Sequence, residues 1–309
     1  QAHFIDLLSR DVDAPPYEAH DIAWTSNFKE DTYNKTVQQV IDYIYDGDIF
    51  QANLSQRFEA DIPEGLDPFI HYMHMRDINP APFATYMNIG DVKISSASPE
   101  RFVTVKDQKA ETCPIKGTRP RVDDVIKDRN YRNDLMHNEK DMAENTMIVD
   151  LLRNDLSKVC IPDTIEVVDL CKLESFARVH HLVSNIRATL AQDKTAVDLL
   201  RGCFPGGSIT GAPKIRAMEI IEELEGVRRG AYCGSMGYIG FDGNMDTNIL
   251  IRTLVYDGDR VSLQVGGGIV ADSDPAAEYQ ETLDKAAATF ESFKTAGKTD
   301  DEPILSKAG

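Results

Sequence analysis

The sequence predicts an α+β fold with largely antiparallel sheets. Strand-like runs follow one another through two-residue turns such as Gly90-Asp91, Asp242-Gly243 and Asp257-Gly258. Helix-period segments are interspersed among them without a strict strand-helix alternation. No Pro/Gly/Ser-rich stretch divides the body, so one catalytic-size domain is expected over residues 31–295. Residues 1–30 are polar, carry Pro15-Pro16 and read as a linker or edge segment. Residues 296–309 read as a charged, disordered tail.

The elements follow in order. Asp31 is a candidate cap for a helix with Tyr33, Val37, Val40, Ile41 and Ile44 at helical spacing, stopped by Gly47. Phe50, Ala52, Leu54, Gln56 and Phe58 fall on one face of a strand. Asp67-Pro68 opens a short helix. Strands are expected at 83–89, 92–96, 102–105 and 110–115, then a charged helical stretch at 123–153. Strands at 165–168 and 179–190 precede a helix at 196–202 and a Gly/Pro-rich loop at 205–213. The next helix places Ile215, Met218, Ile221 and Leu224 together and ends at Gly226. Strands at 231–240, 247–256 and 260–266 lead to a last helix, opened by Asp274-Pro275 and running to about residue 294.

Composition limits the function. The 309 residues carry a net charge of -18, and such a surface repels phosphate backbones, so nucleic-acid binding is not expected. The apolar runs are too short to span a bilayer, so no membrane role is expected. Five scattered cysteines without CxxC or zinc spacing read as reduced thiols in a cytoplasmic protein.

Several residues could carry chemistry. Lys116 sits between Pro114-Ile115 and Gly117-Thr118, with Arg119 and Arg121 just after. Burial and nearby cations would favour its neutral, nucleophilic amine; the plain alternative is a solvated surface lysine. Asp141 with Glu144, and Glu278 with Glu281, are i, i+3 pairs, each on one helical face. Facing each other they would suit a hard cation such as Mg2+; apart they are ordinary acidic surfaces. Lys140 and Lys285 flank them, and Glu281 with Lys285 could be a simple i, i+4 pair.

Glu100, between two expected strands, could be buried, raised in pKa and able to donate a proton, or could lie in a surface turn. The loop Pro205–Lys214 lacks the Walker spacing, and Gly266-Gly267-Gly268 does not make GxGxxG, so nucleotide binding is set aside. Such glycines still let backbone N–H groups approach a carboxylate. Arg252 and Tyr232 fall on adjacent expected strands, where an inward guanidinium would bind an anion or make a salt bridge. His180-His181 in a strand would put one ring on each face, one exposed and one in the core.

Together these stretches resemble the chorismate-utilising enzymes. The resemblance is carried by Asp48–Phe58, Ser98–Phe102, Pro114–Arg121, Ala143–Asn145 with Ile148–Leu156, His181–Ser184, Ser208–Glu219, Arg228–Arg252 and Gly266–Lys285. It covers nearly all of 31–290. It implies large antiparallel sheets packed face to face with helices outside. Lysine at 116 resembles the aminodeoxychorismate synthase branch; the anthranilate, isochorismate and salicylate branches resemble one another in having alanine there. That branch implies Lys116 attack at C2 of chorismate with Glu100 as general acid/base. Ammonia then adds at C4, giving 4-amino-4-deoxychorismate, the para-aminobenzoate and folate precursor.

The resemblance further implies Mg2+ on Glu144 and Glu281, with Asp141 and Glu278 acting through water. It seats the ring carboxylate at Gly117 and Thr118 and places His181 close to the ring. Tyr232, Arg252, Gly267, Gly268 and Lys285 fall near the enolpyruvyl carboxylate. The implied partner is a glutaminase subunit, aminodeoxychorismate synthase component II, which would release ammonia from glutamine. Relatives carry a longer region before Asp48, so 1–30 would be its remnant. The short region before Asp48 leaves regulation by tryptophan open, and Asn79–Phe83 differs from the anthranilate synthase inhibitor motif, which argues against feedback control. An anthranilate synthase component I, or a non-catalytic docking subunit of an amidotransferase complex, are the alternatives.

Overall fold

A computed structural model describes residues 2–10, 15–175 and 179–294. In chain order its elements are α1 (Ala2–Leu8), β1 (Thr25–Ser26), α2 (Glu30–Tyr45), β2 (Gln51–Asp61), α3 (Pro68–Ile78), β3 (Phe83–Ile89), β4 (Val92–Ser98), β5 (Arg101–Lys106), β6 (Lys109–Thr112) and β7 (Ile115–Pro120). Then come α4 (Val125–His137), α5 (Glu139–Ser157), β8 (Glu166–Ser175), β9 (Val179–Thr189), α6 (Ala196–Cys203), β10 (Gly211–Ala212) and α7 (Lys214–Glu225). The last are β11 (Gly237–Ile239), β12 (Met245–Asn248), β13 (Thr253–Asp257), β14 (Arg260–Ile269) and α8 (Pro275–Glu291).

The strands form two seven-stranded antiparallel sheets, the α+β architecture the sequence predicts. The first runs β1-β2-β14-β13-β4-β3, with β10 also on β2. The second runs β11-β12-β5-β6-β9-β7, with β8 on the other side of β9. In the first sheet, Ala52, Leu54, Phe58 and Ala60 share a face with Ile269, Leu263 and Val261 opposite them. Helices α2 and α7 cover the Leu54 end of that face, and α3 and α8 the Phe58 end. Each large side chain buried there contributes about 1.5–3 kcal/mol.

The alternate residues of β2, Gln51, Asn53 and Ser55, are buried too, so this strand is not half exposed as alternation suggests. Phe50, assigned to the inner face from sequence, is exposed and lies just outside the strand. In the second sheet, Ile148, Val149, Leu152 and Leu156 of α5 and Leu199 of α6 pack on Phe102, Val105, Ile186 and Ala188.

Two of the chain's passages between the sheets lie against each other. Ser98-Pro99-Glu100 carries the chain from β4 into β5, and residues 249–252 carry it from β12 into β13. They are stitched together: Ser98 Oγ donates to Ile249 O at 2.5 Å, and Ile249 N donates to Glu100 O at 3.0 Å. This joint places Glu100 and Arg252 side by side in the fold.

Other local expectations change. The α2 cap is Lys29, whose backbone N–H donates to Thr32 Oγ1 at 3.0 Å, and Asp31 lies in the first turn. The expected strand 110–115 is two strands, because Pro114 cannot donate to the ladder. Helical stretch 123–153 is likewise two helices, broken at Asn138, which caps α5 through Asp141 N. Helix α7 buries Ala217, Ile220, Ile221 and Glu225, leaving Ile215 exposed. Residues 15–30 are more than a linker: Trp24 is fully buried and Thr25–Ser26 pairs with β2. The disordered tail expected at 296–309 lies outside the described residues. Among the described residues, no helix is long and apolar enough to cross a membrane.

Candidate active site

Lys116 enters the site because β7 bulges. The register against β9 slips between Lys116 and Thr118, where Gly117 takes φ +74°. Nζ of Lys116 lies 3.4 Å from Ser208 O. A Cβ on Gly268 would stand 3.7 Å from the same nitrogen and would run into Gln51 Nε2. The glycine is therefore what lets the Gln51 side chain lie against β14, with the amine beside it at ordinary contact distance. The charged groups that share its field are carboxylates: Glu100, Glu144 and Glu281 each feel the Lys116 charge. The cations expected around it from sequence are turned elsewhere, Arg119 onto Asp134 and Asp141.

Glu100 is buried, not in a surface turn. Burial pushes its carboxyl above the ordinary carboxylate range, and the Ser208 hydrogen bond and the charges of Lys116, Lys285 and Arg252 pull the other way. Ser208 Oγ donates to Oε1 at 2.8 Å. Such a carboxyl can hold a proton and give it up.

Arg252 lies in the break between β12 and β13 rather than on a strand, at φ +51°. Burial pulls the guanidinium below its ordinary pKa, with Glu100 opposing. Among the described residues, none hydrogen-bonds or ion-pairs with that guanidinium. A desolvated arginine in a strained conformation, without a hydrogen-bonded carboxylate, could hold an anion. Tyr232 is also off the strands, in the turn before β11. Its ring lies under Arg229, 5.4 Å away, and its hydroxyl accepts from Asn53 at 3.4 Å. Burial pushes its phenol pKa upward.

His180 and His181 are both buried, against the expectation of one on each side of the surface. The reason is that β9 is covered on both faces. His180 is held by Ser175 and Asp128. His181 meets Thr118 Oγ1 at 2.9 Å, and burial with Arg252 nearby pushes its imidazole down to about 4. It is therefore neutral near the site.

The two acidic helices come near each other, with Lys140 Nζ of α5 lying 3.9 Å from Glu278 Oε1 of α8. A Cβ on Gly267 would stand 3.0 Å from Glu278 Oε2 and 3.3 Å from Glu281 Oε1, so both lie over that glycine. Glu144 feels Glu281 and Asp141, and burial raises its pKa; burial raises Glu278 as well. Glu281 goes the other way: burial pushes it up, but Lys285 at 2.6 Å, with Lys140 and Lys116, holds it below the ordinary range. Lys285 also donates to Gly266 O at 2.9 Å. Asp141 is paired with Arg119 at 3.1 Å. Among the described residues no three His, Cys, Asp or Glu side chains already stand close enough for a ready-made metal site.

Sequence reasoning missed Ser208, Arg229 and Gln51. Ser208 stood in the Gly/Pro-rich loop and opened one of the stretches that carry the resemblance, but no role was assigned to it. Arg229 is partly buried and donates to Glu225, Asn53 O and Ile209 O, fastening β2, α7 and the Ser208 loop. A signal existed, since Arg228-Arg229 lies inside a stretch that carries the resemblance.

Comparison with known proteins gives three findings. The family described as chorismate binding enzyme matches residues 3–291. Aminodeoxychorismate synthase component 1 of Salmonella typhimurium is 49% identical over 85% of this chain and 58% of its own length. Its Escherichia coli counterpart is 46% identical over 92% and 65%. The chain thus spans less than two thirds of these relatives. A crystal structure of anthranilate synthase component I from Streptococcus pneumoniae superposes with a TM-score of 0.83 at 35% identity, over 93% of this chain and 64% of the other.

Proposed function

The chain belongs to the chorismate-binding enzymes, and on that premise we propose that it aminates chorismate at C4, with Lys116 as nucleophile and Glu100 as acid. The observation that carries this reading is the meeting of the two groups at Ser208. Lys116 Nζ lies 3.4 Å from the Ser208 carbonyl, and Glu100 2.8 Å from the Ser208 hydroxyl. An amine and a raised carboxyl in one cleft can do nucleophilic and proton chemistry on the same ring.

In this reading Nζ bonds to C2, the ring double bonds shift, and the C4–O bond breaks. Glu100 gives the departing hydroxyl its proton, so water leaves, and it recovers a proton from the ammonium formed at C2. Ammonia then bonds to C4 as an ammonium, the double bonds shift back, and the C2–N bond breaks as Glu100 returns its proton to the departing nitrogen, so Lys116 leaves as the amine. The carboxylate can then take a proton from the C4 ammonium. Arg252 would hold a substrate carboxylate, and neutral His181 would lie beside the ring. A glutaminase subunit would supply the ammonia.

The acidic residues fit a magnesium ion. Glu278 Oε2 is buried without a hydrogen-bond partner, and burial raises the pKa of both Glu144 and Glu278 although the Lys140 charge opposes it. Glu144 and Glu281 would hold it directly, Asp141 and Glu278 through water. Bound there, the ion would supply charge stabilisation for the ring carboxylate.

The test is the protein with Mg2+, chorismate and an ammonium salt. We expect 4-amino-4-deoxychorismate, read as para-aminobenzoate after a coupled lyase. Without ammonia, intact-mass spectrometry should show a chorismate-derived adduct that Lys116→Ala abolishes. Anthranilate as sole product would assign the chain to the other reaction, and an adduct that survives Lys116→Ala would remove that lysine as nucleophile. Chorismate binding without turnover would favour a regulatory subunit.

A further inference from the structure

We propose that Ser208 is a positioning residue that sets the acid and the nucleophile from a single point; this rests on the amination reading above. Its hydroxyl donates to Glu100 Oε1 at 2.8 Å, and its backbone carbonyl accepts from Lys116 Nζ at 3.4 Å. The two partners come from different places, Glu100 from the crossover between sheets and Lys116 from β7. Ser208 touches both.

The loop that carries Ser208 is itself anchored. Arg229 Nη1 donates to Ile209 O at 2.8 Å, and Thr210 Oγ1 donates to Gly206 O at 2.9 Å. Gly207 packs so closely on Leu151 of α5 that a Cβ would reach 2.9 Å from Leu151 Cγ. Both Ile209 and Thr210 are buried. Ser208 is thus a fixed post, not a rotor on a free loop.

The consequences are specific. With Oε1 occupied as an acceptor, the transferable proton resides on Oε2 of Glu100. A neutral Lys116 amine that donates one N–H to the carbonyl keeps its lone pair turned away from the loop. The hydroxyl also stabilises the Glu100 anion, opposing burial in the same direction as Lys116 on β7, Lys285 on α8 and Arg252 at the crossover. The Cys233 thiol, also within the field of Glu100, is pushed up to about 12 and is uncharged there.

The experiment compares Ser208→Ala, Ser208→Cys and Ser208→Thr in the full chain. Ala removes the donor and Cys weakens it, whereas both keep the carbonyl; Thr keeps both. Ala and Cys should lower kcat about tenfold to a hundredfold, part of the full worth of a general acid, with KM within about threefold. The limb of the pH profile that reports Glu100 should move upward in both. Thr should restore kcat and the limb. Added to Glu100→Gln, Ser208→Ala should cost nothing further, because it acts through that carboxyl.

Unchanged kcat and an unmoved limb would overturn the proposal. So would a rise in KM alone, which would make Ser208 a substrate contact, or full additivity with Glu100→Gln. A substrate-free readout separates this from the reaction itself. In protein with 13C-labelled glutamate, the carboxyl resonance missing from Glu100→Gln should titrate higher in Ser208→Ala than in wild type. That result is required whatever the wild type makes. A failure of wild type to aminate chorismate would sink the reaction while leaving this measurement to decide Ser208.

Discussion

A Cβ on Gly117 would stand 3.0 Å from Cγ of Asp141 and 2.8 Å from Cδ1 of Leu135. The bulge that turns Lys116 inward is therefore pressed directly against α5 and α4. Gly117→Ala meets two penalties at once, a left-handed φ and a collision with Leu135, which is fully buried and cannot step aside. The backbone alone costs about 1–2 kcal/mol. Thermal unfolding, followed through the single, fully buried Trp24, should shift downward. Turnover should fall further than stability, since the shift moves Lys116 and Asp141 together.

Arg252 offers the opposite trade. It holds φ +51° without a partner for its guanidinium among the described residues. Arg252→Gly relieves the backbone by about 1 kcal/mol and removes a desolvated cation. The variant should melt higher than wild type. Its KM for chorismate should rise at least tenfold if the guanidinium seats a carboxylate, since charged pairs contribute about 1.5–3 kcal/mol. A variant that gains stability and keeps its KM would remove Arg252 from the binding site.

Glu100 shows the same tension through pH. Its folded pKa is raised above the ordinary value of 4.5, so between the two values the native state binds more protons than the unfolded chain. Stability is then greatest at low pH and falls as pH rises through the folded value. Glu100→Gln stays neutral and can still accept from Ser208. It should be more stable than wild type near neutrality, with the gain vanishing below about pH 4.5, the ordinary carboxyl value. Turnover should drop about 100-fold or more. Urea midpoints at the two pH values decide it.

What the sequence made legible was the local grammar. Asp67-Pro68 and Asp274-Pro275 cap helices as read, Gly226 ends α7 in a left-handed conformation, and strand Phe83–Ile89 begins and ends where expected. These depend on neighbours in the chain. The expectation that one of His180 and His181 would be exposed failed because burial there is decided by distant elements, α4 and β8 covering His180 through Asp128 and Ser175. The site residues named from the resemblance lie mostly in one neighbourhood, with Glu100 feeling Lys116, Lys285 and Arg252 together. Tyr232 is tied instead to Asn53 and Arg229. Ser208 was illegible because its meaning is a contact made across the fold, 108 residues from Glu100.

Acid stability should be set by two buried histidines. His71 joins α3 to Tyr256 on β13 through Nδ1 at 2.6 Å, and to Ser292 Oγ after α8 through Nε2 at 2.9 Å. Burial pushes it down to about 3, with His74 and His20 adding to the shift and a hydrogen bond to the Ser292 backbone opposing. His181 is likewise pushed down to about 4. Both folded values lie below the ordinary 6.5, so the unfolded chain takes up protons first. Stability is full above that value and is lost as pH falls toward the folded ones. Each histidine should cost about 2 kcal/mol over the first 1.5 pH units below 6.5. His71→Gln cannot take up that proton. It should be less stable than wild type at neutrality, because it cannot reproduce both hydrogen bonds, and the gap should narrow as pH falls. Urea unfolding of the two proteins at about pH 7 and pH 5, read by Trp24 fluorescence, measures it; a gap that stays constant would mean that His71 takes no part in the acid transition.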